Sequence, residues 1–239
     1  MKIVLASASP RRHELLLQAG IAHVVRPTDC DESETAYRMG EPEAYVMELA
    51  RRKGEAYRLQ EHEAGEIVLS ADTVVYLPHT QEILGKPHNR DRAIAMLESL
   101  SGRVHQVITG VCLRDNGGIF AHFADVTEVE FYPLPLAEIE CYVDTARPFD
   151  KAGAYGIQEL ACRFVRAIRG DYPNVVGLPV SRIYWALMAR GDEGNGGTVA
   201  FEKAPQNFYM GMGMGGVCAS PSAHQSRLVR SLRRSFASG

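Results

Sequence analysis

A serine-rich turn with two arginines lies close to the start of the chain, and its residue types suit phosphate binding. The turn reads SASPRR at residues 7–12, and Pro10 stands where a proline fits the first turn of a helix. A helix start presents unpaired N–H groups and the positive end of its dipole. Together with two hydroxyl and two guanidinium groups, it predicts a cradle for phosphates. The alternative is an ordinary serine cap with two solvated arginines.

An aspartate interrupts an otherwise apolar segment farther along the chain. Residues 66–77 read EIVLSADTVVYL, a run typical of a central strand, with Asp72 in its middle. Burying a carboxylate without a partner is costly, so we expect Asp72 to be hydrogen-bonded, metal-bound or exposed at a cleft. There it could orient a water molecule or hold Mg²⁺. The alternative is a structural aspartate that accepts backbone N–H bonds.

A cluster of carboxylates follows the second predicted strand. Asp29, Asp31, Glu32 and Glu34 share one short segment. Hard divalent cations favour clustered carboxylates, which makes this segment a candidate metal site. A solvated acidic loop is the alternative, because charged runs usually face water.

Three lysines and one glutamine complete the candidate set. Lys53 lies on a predicted helix, Lys86 stands in GKP and Lys151 in DKAG. Lysine serves phosphate as a mobile point charge, although each of these alone is typical of a surface residue. Gln158 ends the segment AGAYGIQ, and its amide offers the donor and the acceptor that recognition of a base needs. We interpret His105 as a histidine within a strand.

Alternating strands and helices must position these groups. Apolar runs predict strands at 2–6, 66–77, 103–114, 119–131 and 162–169, with short strands after residue 22 and at 82–84. Periodic apolar residues predict helices at 10–19, 43–62, 90–99, 136–145 and 179–188. The tripeptide NGG at 116–118 predicts a hairpin between two long strands. The class is therefore α/β, with a mixed twisted sheet flanked by helices.

Composition excludes several classes of function. The chain has 239 residues and a net charge of −3, so a general attraction to nucleic acid or to acidic membranes is not expected. Five cysteines without a CxxC pair argue against a zinc ribbon or a disulfide framework. No apolar run is long enough for a membrane span or a signal core, which predicts a cytoplasmic protein. A Walker motif is absent, and no GxGxxG motif connects a predicted strand to a predicted helix.

The composition changes after residue 190. Residues 191–239 are rich in glycine and methionine and lack periodicity over most of their length, so they are predicted to form a flexible tail. Arginines and apolar residues alternate at 227–236, which suits either a basic amphipathic helix or a disordered end.

Several blocks of this sequence match one family in order and at compatible spacing. They are SASPRR with ELL after it, SADTVV followed by GKP, residues 101–110, DKAGAYGIQ at 150–158, and VGLP at 176–179. Through them the chain resembles the Maf nucleotide pyrophosphatases over residues 1–189. Residues 150–158 are similar to the branch that cleaves dTTP and UTP. The departures are Asp31, at a position that is often Glu, and the tail beyond residue 190.

The resemblance implies two lobes around a deep cleft, as in inosine triphosphatases, and a homodimer. It implies that Asp72 is the catalytic residue and that Arg11, Thr73 and Gln158 set substrate choice. It also implies a set of residues that line the cleft: Ser9, Arg12, Glu32, Lys53, Lys86 and Lys151. The expected domain is 1–190.

The expected reaction is attack of water on the α-phosphorus of a nucleoside triphosphate, which releases pyrophosphate. Mg²⁺ or Mn²⁺, held by Asp72 with help from Glu32, would offset charge on the phosphates. Two alternatives stay open: a pyrophosphatase for modified nucleotides, and a nucleotide-binding regulator of cell division without turnover. Binding of nucleic acid through the arginine-rich end is disfavoured by the charge balance.

Overall fold

The apolar runs of the sequence become the strands of one mixed sheet. A computed structural model describes residues 2–31, 35–57 and 65–193. The strands are β1 (Lys2–Leu5), β2 (His23–Val25), β3 (Glu66–Leu77), β4 (Glu82–Leu84), β5 (Val104–Asp115), β6 (Gly118–Phe131) and β7 (Val165–Arg169). The helices are α1 (Pro10–Gln18), α2 (Pro42–Ala56), α3 (Arg90–Leu100), α4 (Leu136–Ala146), α5 (Tyr172–Val176) and α6 (Val180–Glu193).

The sheet order within the described residues is β2-β1-β3-β5-β6-β7, and β4 pairs with β3. β1 runs parallel to β2 and β3, whereas the other pairs are antiparallel. The mixed α/β class and the hairpin between β5 and β6 are therefore confirmed. Within the described ranges, no helix combines the length and the hydropathy needed to cross a membrane.

Alternation along β3 sends neighbouring side chains to two different layers. Ala71 and Val75 belong to the larger apolar core, whereas Val74 and Tyr76 join a small cluster with Val46 of α2. Asp72 has the same parity as Val74, and its side chain also meets α2. The alternation therefore takes this carboxylate out of the larger core and directs it toward a single helix.

Small residues let α2 lie very close to the sheet. A Cβ on Gly110 of β5 would stand 2.3 Å from the carbonyl oxygen of Val46. A Cβ on Gly54 would stand 2.6 Å from the hydroxyl of Ser70, which donates a hydrogen bond to the carbonyl of Ala50. Glycine at both contacts fixes the height of α2 above β3.

The strand predicted at 66–77 is confirmed as β3, and its backbone stays extended through Asp72 because the side chain leaves toward α2. Other predicted element boundaries are wrong. α2 ends at Ala56, and residues 58–62 of its predicted span lie outside the described residues. Leu160–Phe164 forms a 3-10 turn where the predicted strand begins, and the strand starts only at Val165.

Two further differences concern the last helices. The short helix α5 was not predicted, because five residues are too few to display a helical period. α6 continues to Glu193, three residues into the predicted tail. The remainder of that tail, 194–239, lies outside the described residues.

His105 is a buried histidine of β5, as the sequence predicts. Its Nε2 lies 2.8 Å from the hydroxyl of Tyr155, and its ring packs edge-on against Phe131. Among the described residues its Nδ1 has no hydrogen-bond partner. Burial lowers the pKa of His105 to about 3, so the ring is neutral in the folded protein.

The buried imidazole predicts a loss of stability in mild acid. Because the pKa is lower in the folded state than the ordinary 6.5, the unfolded chain binds more protons between these values. The contribution of His105 is fully present above pH 6.5 and declines as the pH falls toward 3. Between pH 7.5 and pH 5 this decline should lower the unfolding free energy by about 2 kcal/mol.

Urea denaturation across this pH range checks the prediction. The variant His105→Gln has no titrating ring and should show a correspondingly flatter pH dependence. The exposed His79→Gln is the matched control and should follow the unmodified protein. Equal slopes for His105→Gln and the unmodified protein would contradict a neutral, buried His105.

Candidate active site

The site forms at a gap in one edge of β3. On this edge β1 pairs with Glu66–Leu69 and β4 pairs with Val75–Leu77. Between these pairings, residues 70–74 have no strand partner on this edge among the described residues. The turn at 7–12 follows directly from β1 and therefore lies beside the gap.

Arg12 joins this turn to the exposed edge. Its guanidinium donates to the carbonyl of Ala71 at 2.8 Å and to the hydroxyl of Thr73 at 3.0 Å. It also donates to the hydroxyl of Ser7 at 3.1 Å and to the carbonyl of Gly177 at 2.9 Å. Arg12 therefore replaces the missing strand partner and binds three chain segments together. The alternative of a solvated arginine therefore does not hold for Arg12.

The serines of the turn differ in their roles. The Ser7 hydroxyl accepts from Arg12 and from the backbone N–H of Ser9, the latter at 3.2 Å. Ser9 is the N-cap residue of α1, but its side chain makes no capping bond, and the first turn of α1 carries no acidic residue. The positive end of α1 and its first N–H groups thus lie at the cleft, where they favour an anion.

Asp72 is paired with a lysine from the neighbouring helix. The Nζ of Lys53 on α2 donates to Oδ1 of Asp72, and the two side chains are 17% and 16% exposed. The hydroxyl of Thr28 donates to the carbonyl of Lys53 at 3.2 Å. A pair at this depth remains accessible to a small ligand, yet it is shielded enough for its charges to interact strongly.

A second group of charges lies around Lys151. The ammonium of Lys151, whose side chain is nearly buried, lies 2.9 Å from Asp150 and 3.3 Å from Glu159. Arg11 reaches Asp150 at 3.8 Å. Burial opposes ionisation of Asp150, but the hydrogen bond from Lys151 and the two cationic charges outweigh it and lower the pKa of Asp150. Gly156 leaves room for Lys151, since a Cβ there would lie 2.8 Å from its Cε.

One cleft of about 470 Å³ collects these groups. It is lined by nine of the predicted site residues: Ser9, Arg11, Arg12, Lys53, Asp72, Thr73, Lys86, Lys151 and Gln158. The tenth, Glu32, lies outside the described residues. Among the described lining residues, five cationic and three acidic side chains leave an excess of positive charge, which suits a polyanion.

The structure adds lining residues that the sequence did not single out. Asp150 and Glu159 flank predicted residues, and their proximity to Lys151 was the available signal. Gly177 stands in the VGLP block, where a glycine indicated a close approach of the backbone. An apolar wall completes the cleft: Val75, Val107, Tyr155, Ile157, Val175 and Val176. Nothing in their periodicity separates these residues from the core.

A cationic turn and a carboxylate thus line one cleft, and comparison with known proteins identifies the family of this chain. A family model described as Maf-like protein matches residues 2–190. The chain belongs to the Maf family. The match covers each residue named above as lining the cleft.

Two curated proteins are similar to this chain in sequence. A protein of Anaeromyxobacter sp. (strain Fw109-5), named dTTP/UTP pyrophosphatase, is 48% identical over 185 residues, which are 75% of this chain and 85% of that protein. A protein of Exiguobacterium sibiricum with the same name is 48% identical over 191 residues, 80% of this chain and 93% of that protein.

A solved structure of a nucleoside-triphosphatase / dITP/XTP pyrophosphatase from Mycobacterium abscessus is more distant from this Maf-family chain. It aligns with 81% of this chain and 97% of its own, at 14% identity and a TM-score of 0.36. A likeness at this level supports no argument about function.

Replacement of Arg12 tests whether it acts as a structural connection. Arg12→Lys keeps the charge but cannot reach the four acceptors, so the unfolding free energy should fall by about 1–3 kcal/mol. Arg11→Lys is the matched control, because Arg11 is one-third exposed and its ion pair within the described residues is long. Its cost should stay within about 0.5 kcal/mol. Urea denaturation measures both, and equal costs would contradict the assignment.

Proposed function

We propose that this Maf-family chain hydrolyses dTTP and UTP to the monophosphate and pyrophosphate, by attack of water on the α-phosphorus. One observation carries the proposal: Arg12 bonds to the residues on either side of Asp72, Ala71 and Thr73. The cationic turn and the carboxylate are therefore neighbours, as cleavage within a polyanion requires. The name shared by the curated relatives supports the choice of nucleotides.

The triphosphate binds along the turn at 7–12. The start of α1, the hydroxyl of Ser9 and the guanidinium of Arg11 offer donors and positive charge there. Lys86 is exposed, and it forms no ion pair with the part of the chain that the structure describes, so its charge is available to phosphate. Arg12 contributes charge and holds the turn in place. Positive charge fixed in this way stabilises the departing pyrophosphate.

Asp72 orients the attacking water and accepts its proton. Lys53 neutralises this carboxylate in the structure. A bound triphosphate competes for the ammonium group of Lys53, and a carboxylate oxygen then becomes available to water. Lys53 thereby stabilises Asp72 before binding and phosphate charge afterwards.

A divalent cation fits this donor set when it arrives with the substrate. Among the described residues, no group of three or more His, Cys, Asp or Glu side chains could hold a metal ion. Mg²⁺ commonly binds through one or two carboxylates, water and substrate phosphates, and Mn²⁺ accepts the same oxygen ligands. Asp72 would hold the ion, with Glu32 as the second expected ligand. When bound, it offsets negative charge on the phosphates.

The base binds against the wall that contains Gln158. Its exposed amide provides a donor and an acceptor for the edge of a pyrimidine, and the apolar wall covers the ring. The Thr73 hydroxyl is engaged by Arg12 and Thr109, so we assign it an indirect part in substrate choice. A purine at this edge would leave polar groups unpaired, which disfavours it.

Substitution of the catalytic carboxylate tests the proposal. Asp72→Asn keeps the size and polarity of the side chain but cannot accept the proton of water, so turnover should fall by about 10²–10⁴-fold. The measurement is release of pyrophosphate from dTTP and UTP with Mg²⁺ or Mn²⁺, alongside a thermal melt. Asp91→Asn, at an exposed position of α3, is the control and should keep full activity.

A panel of triphosphates separates the remaining possibilities. Faster release of pyrophosphate from methylated pyrimidine nucleotides would favour a pyrophosphatase for modified nucleotides. Tight binding without any release would favour a regulator. Unchanged turnover by Asp72→Asn would refute the catalytic role. From the resemblance we also propose a homodimer in the cytoplasm.

A further inference from the structure

A chain of hydrogen bonds runs from Arg12 into the interior, away from the cleft. The guanidinium Nη2 donates to the Thr73 hydroxyl at 3.0 Å, and this hydroxyl lies 3.0 Å from that of Thr109 on β5. The Thr109 hydroxyl lies 3.2 Å from the backbone carbonyl of Asn174 on α5. Thr109 and Asn174 are fully buried, and neither lines the cleft.

The direction of every bond in this chain follows from its two ends. A guanidinium only donates, and a carbonyl only accepts. Each threonine hydroxyl has one proton, so Thr109 must donate to Asn174, and Thr73 must donate to Thr109. The contact from Thr73 to the carbonyl of Gly177 is longer, at 3.5 Å. Removal of the Thr109 hydroxyl therefore leaves the Thr73 proton without its nearest acceptor.

Asn174 fixes the other end of the chain. Its amide nitrogen lies 3.1 Å from the carbonyls of Val107 and Asp125 and 3.0 Å from the hydroxyl of Thr127. Thr127 in turn exchanges hydrogen bonds with the backbone of Asp171, the N-cap of α5. A helix of five residues cannot hold its own position, so these bonds anchor α5 to the sheet.

The anchored helix ends at a second contact of Arg12. Gly177 follows α5 directly, with a φ of 132°, and its carbonyl accepts from Nε of Arg12. Two of the four acceptors that Arg12 has among the described residues, the Thr73 hydroxyl and the Gly177 carbonyl, are therefore placed by Thr109 and Asn174. The other two come from Ser7 and Ala71.

We propose that Thr109 and Asn174 are positioning residues that set the orientation of the Arg12 guanidinium, and through it the phosphates, without touching the substrate. This inference rests on the proposed function. It also explains why a residue as polar as asparagine is buried here, even though its amide oxygen has no hydrogen-bond partner among the described residues.

A double-mutant cycle tests the inference. Thr109→Val keeps the shape of the side chain and removes the hydroxyl, and kcat/KM for dTTP should fall by about tenfold in the unmodified protein. In the Arg12→Lys background the guanidinium that begins this series of hydrogen bonds is already absent. The same substitution should then lower kcat/KM by less than about twofold. Equal losses in both backgrounds, or no loss in either, would overturn the proposal.

Two further variants serve as controls for a general effect on the fold. Thr109→Ser restores the hydroxyl and should keep activity within about threefold of the unmodified protein. Ser101→Ala removes a hydroxyl that accepts from Leu134 at 2.7 Å, away from the cleft, and should leave kcat/KM unchanged in both backgrounds. If Thr109→Val does not fold, Thr109→Ala takes its place in the cycle. Failure of Thr109→Ser to retain activity would contradict a role for the hydroxyl.

A binding measurement separates this inference from the proposed function. Calorimetry gives the affinity for pyrophosphate of the same four proteins of the cycle. If the unmodified protein releases no pyrophosphate from dTTP, the proposed function fails. The inference would still be supported if Thr109→Val lowers the pyrophosphate affinity of the unmodified protein but not that of the Arg12→Lys variant. An additive loss, or none, would overturn the inference independently of catalysis.

Discussion

The guanidinium of Arg12 is the interaction on which the rest of the site depends. It bonds to a carbonyl one residue before Asp72 and to a hydroxyl one residue after it. Two further acceptors within the described part of the chain belong to the turn at 7–12 and to the residue after α5. Four charge-assisted bonds from one rigid fork fix the relative positions of these segments, which an ammonium group could not do.

The gap in the sheet makes this connection necessary. A strand edge without a partner exposes backbone groups that must be satisfied. Here β1 ends before the gap and β4 begins after it, so a side chain completes the bonding instead of a third strand. The opening leaves the Asp72 side chain accessible beside Lys53. A local defect of the sheet is thus what allows a carboxylate in a central strand to meet a ligand.

The sequence predicted most of the fold and nine of the residues that line the cleft, because apolar runs, the NGG hairpin and the family motifs are local patterns. It could not reveal which charges pair: nothing in the spacing of Lys53 and Asp72 shows that α2 lies over β3. That contact depends on Gly110, whose lack of a side chain admits the helix. The helix α5 and the role of Asn174 were missed, because one buried amide that bonds to three distant acceptors has no periodic signature.

The position of a bound nucleotide follows from this arrangement. A crystal structure with a dTTP analogue that carries a methylene group between its α- and β-phosphorus atoms tests it most directly. The phosphates should lie along the turn at 7–12, with the α-phosphorus facing Asp72 and Arg12 still bonded to β3. A nucleotide whose phosphates point away from this turn, or that binds outside the cleft, would contradict the account.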